Sequence, residues 1–252
     1  MNVHTTTDYE QMAARYDAGR ALPLEWIAAW RTALALYVEG SSRPVLDVGA
    51  GTGIWSEALA RWFGVSVVGL EPSDGMRREA LQKGLASGVE VVGGTAQHIP
   101  LKARSCHCAW LSTVLHHIPD VRACARELRR ILRPHGAVLI RNSFGDRLEG
   151  IHWLQYFPAA RRLAARRWPS VTATVEAFGG EGFEVEALQS VPEVASEDLS
   201  SLYERIRVRA NSTLTLIDDD EFYDGLRLLR EAADREQRPR RIVDQRDLLV
   251  LK

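Results

Sequence analysis

The stretch VLDVGAGTG, residues 45–53, sets the first limit on how this chain can fold. A short apolar run that ends in three alternately spaced glycines and passes into the helical periodicity of IWSEALARWF reads as strand, tight turn and helix. The same alternation continues downstream. PVLDVG, VSVVGLE, VEVVGG, HCAWLST and GAVLIRNS read as five strands, with IWSEALARWF, SDGMRREALQKGL and DVRACARELRRIL as helices between them. Successive strand and helix units of this kind build a parallel sheet. In the last helix Val121, Ala125, Leu128 and Leu132 share an apolar face and Asp120 is the expected N-cap. Arg122, Arg126, Arg129 and Arg130 are expected in solvent.

Outside this segment the pattern is looser. YEQMAARYD and PLEWIAAWRTALALYVEG suggest two helices before the first strand. Beyond Ile140, GIHWLQYFPAARRLAARRW reads as helical with an interruption at Pro158, and VTATVEAFGGEGFEVEALQSV as a short helix running into a sixth strand. SEDLSSLYERIRVRA and DDDEFYDGLRLLREAADREQ follow, then a last strand, RIVDQRDLLVL. The run RIRVRANSTLTL alternates like a strand among helix formers, so periodicity leaves its type open. Without an internal repeat or a low-complexity linker, one domain over 1–252 is expected. It would comprise a helical cap to about residue 40, a core over about 41–145, and lid segments over about 146–180 and 195–238.

Charge and cysteine usage exclude several classes. With 32 Lys+Arg against 33 Asp+Glu, the net charge of -1 offers no general attraction to nucleic acid or to an anionic membrane. The cluster Arg161, Arg162, Arg166 and Arg167 is therefore expected to be a solvated helix face. MNVHTTTDYEQMAARYDAGR lacks the apolar stretch of a secretion signal, and no apolar run approaches the ~18 residues of a membrane span. Cys106, Cys108 and Cys124 are an odd number in apolar surroundings, which favours a reducing cytoplasm over a disulfide framework. Cys106 and Cys108 are expected to share one strand face, with His107 on the other, as packing rather than as a zinc site. Asp218, Asp219, Asp220 and Glu221 open a helix, where carboxylates suit the positive end of the dipole, so no metal site is expected.

The glycine turn carries the chemistry. Gly49, Gly51 and Gly53 are spaced G-x-G-x-G, and Ile54 stands where a dinucleotide fingerprint requires its third glycine. A phosphate loop is excluded because no Gly-Lys-Ser/Thr follows. Asp47, two residues before the first glycine, would repel a pyrophosphate in a poorly screened cleft and would favour an ammonium group. S-adenosylmethionine carries an ammonium and no phosphate. The alternative is a turn with no ligand, for which two glycines would suffice.

On these residues VLDVGAGTG resembles the first motif of class I S-adenosylmethionine-dependent methyltransferases, in particular the small-molecule branch of methyltransferase type 11. The resemblance covers roughly residues 9–145. It implies that Asp47, Gly49, Gly51 and Gly53 line the cofactor and that Glu71 accepts its ribose hydroxyls. It places Pro72, Ser73 and Met76 of EPSDGM beside the adenine. GTAQHIPL resembles the family's G-D-A-x-x-(I/L)-P-(L/F), with Thr95 in place of the Asp, which leaves the adenine contact to Thr95, Ala96 and Gln97. LSTVLHHIPD resembles the segment that passes under the cofactor, from Ser112 onward, and LRPHGAVLI resembles the next turn, with His135 replacing a usual Gly. YEQMAARYDAGR resembles the family's first helix, whose Tyr16 and Arg20 would close over the methionine end.

The implied fold is α/β and Rossmann-like, a mainly parallel seven-stranded sheet with helices on both faces and helical lid insertions. The implied activity is in-line methyl transfer to an O, N or C atom of a small molecule, with S-adenosylhomocysteine as product. His116 and His117, after the fourth strand, are the candidate general bases. Arg141, Asn142, Trp153, Tyr156 and Phe157 are the candidate acceptor-binding residues. Methylation of RNA or protein, and a non-methylating protein that keeps the cofactor, stay open as alternatives. A small-molecule partner, no nucleic acid, no membrane, and a monomer or homodimer are expected.

Overall fold

The structure is a computed structural model and describes residues 23–252. The expected helix around YEQMAARYD, with Tyr16 and Arg20, lies outside the described residues. Seven strands form one sheet in the order β3-β2-β1-β4-β5-β7-β6. They are β1 (Val45–Val48), β2 (Val67–Glu71), β3 (Val89–Gly93), β4 (Ala109–Ser112), β5 (Val138–Asn142), β6 (Val185–Ser196) and β7 (Ile242–Leu251). Neighbours from β3 to β5 are parallel, and β7 runs antiparallel to both β5 and β6. Every residue of β1, β2 and β5 is buried. Strands covered on both faces lose the polar alternation of half-exposed ones, which is why they read as apolar runs.

Two apolar layers cover the sheet. One face packs α1 (Ala28–Val38) and α2 (Ile54–Phe63) around Trp30, Leu34, Leu59 and Trp110. The other packs α4 (Val121–Ile131) and α6 (Val171–Gly179) around Leu111, Leu128, Ile140 and Phe178. Helix α3 (Asp74–Gln82), between β2 and β3, is capped by Ser73, which accepts from Met76 N. In α4, Asp120 accepts from Ala123 N as the N-cap. Its arginines are held along the outer face: Arg126 pairs with Glu181, Arg130 pairs with Glu127, and the Arg129 guanidinium lies 3.8 Å from the Phe183 ring centroid.

A third apolar cluster extends from the sheet at Ala195 of β6 and Ile242 of β7. It joins the 3-10 turn His152–Gln155 and α5 (Pro158–Arg167) to α7 (Leu199–Ile206) and α8 (Asp219–Asp234), through Leu154, Phe157, Leu202 and Phe222. The interruption falls where expected: the 3-10 turn ends before Pro158, which begins α5, since its fixed φ and missing N–H suit the first turn. RIRVRANSTLTL is no strand. It is the end of α7, a loop in which Arg209 has φ +52°, and a 3-10 turn over Leu214–Leu216. Arg161 and Arg162 pair with Glu149 and Glu221.

The cysteines depart from the expected pattern. Cys106 packs in the α4 layer and Cys108 in the α1 layer, because β4 begins only at Ala109 and residues 106–108 do not alternate as a strand. His107 is tied to packing: Arg133 Nε donates to its Nδ1 at 3.0 Å, which leaves Nε2 to donate to the Tyr37 carbonyl at 3.1 Å. Burial pushes the thiols of Cys108 and Cys124 up to about 12, which makes both unreactive. Among the described residues no group of His, Cys, Asp or Glu could hold a metal ion.

His135, in the turn into β5, has φ +60°, a conformation that costs a side-chain-bearing residue about 1 kcal/mol. Replacing His135 by Gly is expected to raise the unfolding free energy by up to about 1 kcal/mol in urea titration. A variant less stable than wild type would show that the imidazole makes a compensating contact.

Candidate active site

Strand order reverses between β1 and β4, so the loops that leave these strands open side by side at the carboxyl edge of the sheet. Ligands of open α/β sheets collect at this point. The loop after β1 is built by its glycines: Gly49, Gly51 and Gly53 have φ of +70°, +57° and +83°. A Cβ on Gly49 would lie 2.5 Å from Val114 Cγ2. The turn itself therefore uses all three, where the sequence suggested that two would serve. The next helix starts on the last of them, with Gly53 as N-cap of α2.

A cavity of about 230 Å³ runs from this loop to the helical cluster around Trp153 and α7. Asp47, Gly49 and Gly51 line it from β1, Ser112 and His116 from the end of β4. Arg141 and Asn142 enter from β5, and Trp153 from the lid. The structure thus brings eight of the expected site residues to one space.

Others stand elsewhere. Glu71 is one step removed, its carboxylate accepting from Gly51 N and Ser73 N, each at 2.9 Å. Pro72, Thr95, Ala96 and Gln97 lie on the β2 and β3 side, outside the cavity, and Met76 is buried in the protein interior. His117 is exposed, and its ring centroid sits 3.9 Å from that of His116. Phe157 is fully buried between Trp153 and Phe222, and Tyr156 is half-buried beside His152. The last two, expected in the acceptor pocket, pack the lid itself, because in this short segment only Trp153 projects to the cavity.

Several lining residues were not anticipated: Glu193 on β6, Arg205 at the end of α7, Asn211 and Thr213 in the following loop, and Asp244 and Arg246 on β7. A signal was present for the last pair. VDQRD places Asp244 and Arg246 two apart on a strand, hence on one face, and charges at such positions inside a sheet need a polar cavity or partners.

The part of the cavity lined by β5, β6 and β7 is wired by ion pairs. Arg141 Nε and Nη2 bind both oxygens of Glu193 at 2.6 to 2.9 Å, and its Nη1 donates to Ser112 Oγ at 3.1 Å and Thr113 Oγ1 at 2.7 Å. Trp30 Nε1 adds a bond to Glu193 Oε2 at 3.0 Å, and the Arg141 guanidinium lies 5.1 Å from the Trp55 ring centroid. Burial alone would raise the Glu193 pKa, but Arg141, Arg246 and these hydrogen bonds outweigh it and hold the carboxyl below its usual range. Arg246 Nη2 donates to Asp244 Oδ2 at 2.9 Å, and its Nη1 donates to Ser143 Oγ.

Asp47 differs from these paired groups. It is 1% exposed, and its hydrogen-bond partner is Ser56, whose Oγ donates to Oδ2 at 2.6 Å and whose backbone N–H donates as well. Burial, only partly offset by these two bonds and reinforced by the Glu71 charge, raises its pKa to about 7. A buried carboxyl short of positive partners in a cavity wall is suited to a cation.

Residues 46–140 match the family model of a methyltransferase domain. The chain is 36% identical over 137 residues to demethylmenaquinone methyltransferase of Thermobifida fusca, a match covering 52% of this chain and 58% of that protein. It thus spans little more than half of that relative. It is 27% identical over 194 residues to YrrT, an uncharacterized methyltransferase of Bacillus subtilis, covering 72% and 90% of the two chains. In fold it is similar to a protein of Anabaena variabilis described as a methyltransferase from an antibiotic biosynthesis pathway, with a TM-score of 0.70 at 22% identity, over 89% of this chain and 97% of that one.

Proposed function

We propose that the chain is a class I S-adenosylmethionine-dependent methyltransferase, a reading that the methyltransferase-domain match over residues 46–140 and the methyltransferase relatives support, and that it binds S-adenosylmethionine at the β1 and β4 loops and methylates a small molecule held under the lid. The observation that carries this reading is the buried Asp47 carboxyl beside a turn of three left-handed glycines, at one end of a cavity that continues to the lid. The residues fit the cofactor. Asp47 would hold its ammonium, and Glu71, placed by its bonds from Gly51 N and Ser73 N at the end of β2, would hold the ribose hydroxyls. When bound, the cofactor supplies a methyl group on a sulfonium centre.

The chain's own contribution is positioning, and a near-attack geometry supplies as much as ~7 to 11 kcal/mol of barrier reduction. Arg141, locked by Glu193, fixes one wall. His116 takes a proton from the acceptor where the acceptor has one to lose. A cavity of this size suits a small acceptor, and the buried thiols fit a reducing cytoplasm. Among the described residues no helix is long and apolar enough to cross a membrane.

The test is calorimetry with S-adenosylmethionine, followed by incubation with methyl-labelled cofactor and a metabolite extract. Micromolar binding and label in a small product are expected. A folded protein that takes up no cofactor overturns the reading. His116→Ala is expected to lower turnover about 100-fold with cofactor affinity unchanged, and His117→Ala to act close to wild type. Equal turnover in the His116 variant and wild type would remove the base from the mechanism.

A further inference from the structure

The charges around the acceptor half of the cavity do not cancel. Glu193 is matched by Arg141, and Asp244 by Arg246. Arg205, which also lines the cavity, makes no hydrogen bond or ion pair with any described residue. Burial and the neighbouring Arg246 work against its charge, and Asp244 and Glu193 favour it, with a net lowering of its pKa. A second donor is also unused: Arg246 Nε is buried without an acceptor, 3.8 Å from Glu193 Oε1.

The loop after α7 adds neutral donors to this cation. Asn211 Oδ1 accepts from Thr213 N at 2.8 Å, which leaves the Asn211 amide nitrogen without an acceptor among the described residues. The Thr213 hydroxyl is in the same position. Trp153, Trp168 and Leu214 line the cavity beside them. A guanidinium with spare donors, amide and hydroxyl groups nearby and aromatic walls matches a compact molecule that has an apolar body and an oxyanion at one end.

We propose that the acceptor is an anion, a carboxylate or another oxyanion on a small apolar frame, and that Arg205 selects it. This deepens the methyl-transfer reading and rests on it for the identity of the cavity as an acceptor site. Arg205 is a binding residue here, entering the cavity from the end of α7, whereas Asp47 and His116 enter it from β1 and the segment after β4.

The test separates binding from chemistry. Phenylacetate, phenyl phosphate and the neutral phenylacetamide are titrated into the full-length protein with S-adenosylhomocysteine present, by calorimetry and by tryptophan fluorescence. At least one of the two anions is expected to bind at least tenfold more tightly than the amide. Which anion binds better distinguishes a carboxylate acceptor from a phosphate. Arg205→Met is expected to abolish the preference without changing the affinity for S-adenosylhomocysteine or the melting temperature, and Arg205→Lys to retain part of it. Equal binding of anion and amide, a preference that survives Arg205→Met, or no anion binding at millimolar concentration overturns the proposal. Anion selectivity in a protein that transfers no label to any extract component would instead sink the methyl-transfer reading.

Discussion

Replacing Asp47 by Asn is expected to make the protein harder to unfold at pH 8 and nearly unable to bind S-adenosylmethionine. The carboxyl has an ordinary pKa of 3.8 and a folded value of about 7, raised by burial. The unfolded chain therefore gives up this proton at lower pH than the folded one. Folding is unaffected by the group below pH 4 and is progressively penalised between pH 4 and 7, by as much as about 4 kcal/mol in total. Asn keeps an oxygen for the Ser56 hydroxyl and carries no charge, so part of that penalty, about 1 to 3 kcal/mol, returns as stability at pH 8. At pH 4 the two proteins should unfold at nearly the same urea concentration.

Affinity should move in the opposite direction. A bound ammonium requires the ionised carboxylate, so cofactor affinity in the wild type rises as pH increases through 7 and then levels off. In Asp47→Asn it should be at least tenfold weaker at pH 8 and flat with pH. Calorimetry at pH 6, 7 and 8 reads both. An Asn variant that binds as tightly as wild type would remove Asp47 from the cofactor site.

The second large effect concerns the wall of the cavity. Glu193→Gln strands the Arg141 guanidinium, 8% exposed, with a neutral partner. Breaking one side of a buried pair of this kind costs about 3 to 5 kcal/mol, a large share of the stability of an ordinary domain. The double variant Arg141→Met with Glu193→Leu removes both charges and should recover most of the loss in stability, while turnover stays low because the wall no longer has its shape. The depressed Glu193 carboxyl contributes stability above the ordinary value of 4.5 and loses it as pH falls through the folded value. The gap between wild type and Glu193→Gln should therefore narrow in acid. A single variant as stable as wild type at pH 7 would show that Ser112 and Thr113 suffice for Arg141.

Much of this was legible in the residues. The first five strands announced themselves as short apolar runs, and α2 and α4 by their spacing and by the Asp120 cap, because these signals are local and each element carries its own. The interruption at Pro158 was legible for the same reason, with a 3-10 turn before it and α5 starting on it. Phe157 and Tyr156 misled. An aromatic beside a predicted pocket has the same composition as an aromatic in the core of a lid, and only the packing against Phe222 and His152 separates the two.

The amino-acid order by itself determined the first five strands, the glycine turn and the position of Asp47, since each depends on neighbours within a few residues along the chain. The tertiary structure alone decided what faces the cavity. Arg141 and Glu193 are 52 positions apart, and Arg205, Arg246 and Asp244 come from a helix end and a strand that meet only when β7 inserts between β5 and β6. Whether a charge is paired, and whether one is left over, is a property of that meeting. No window of sequence contains it, because electrostatic partners are set by distance in space and by burial rather than by separation along the chain.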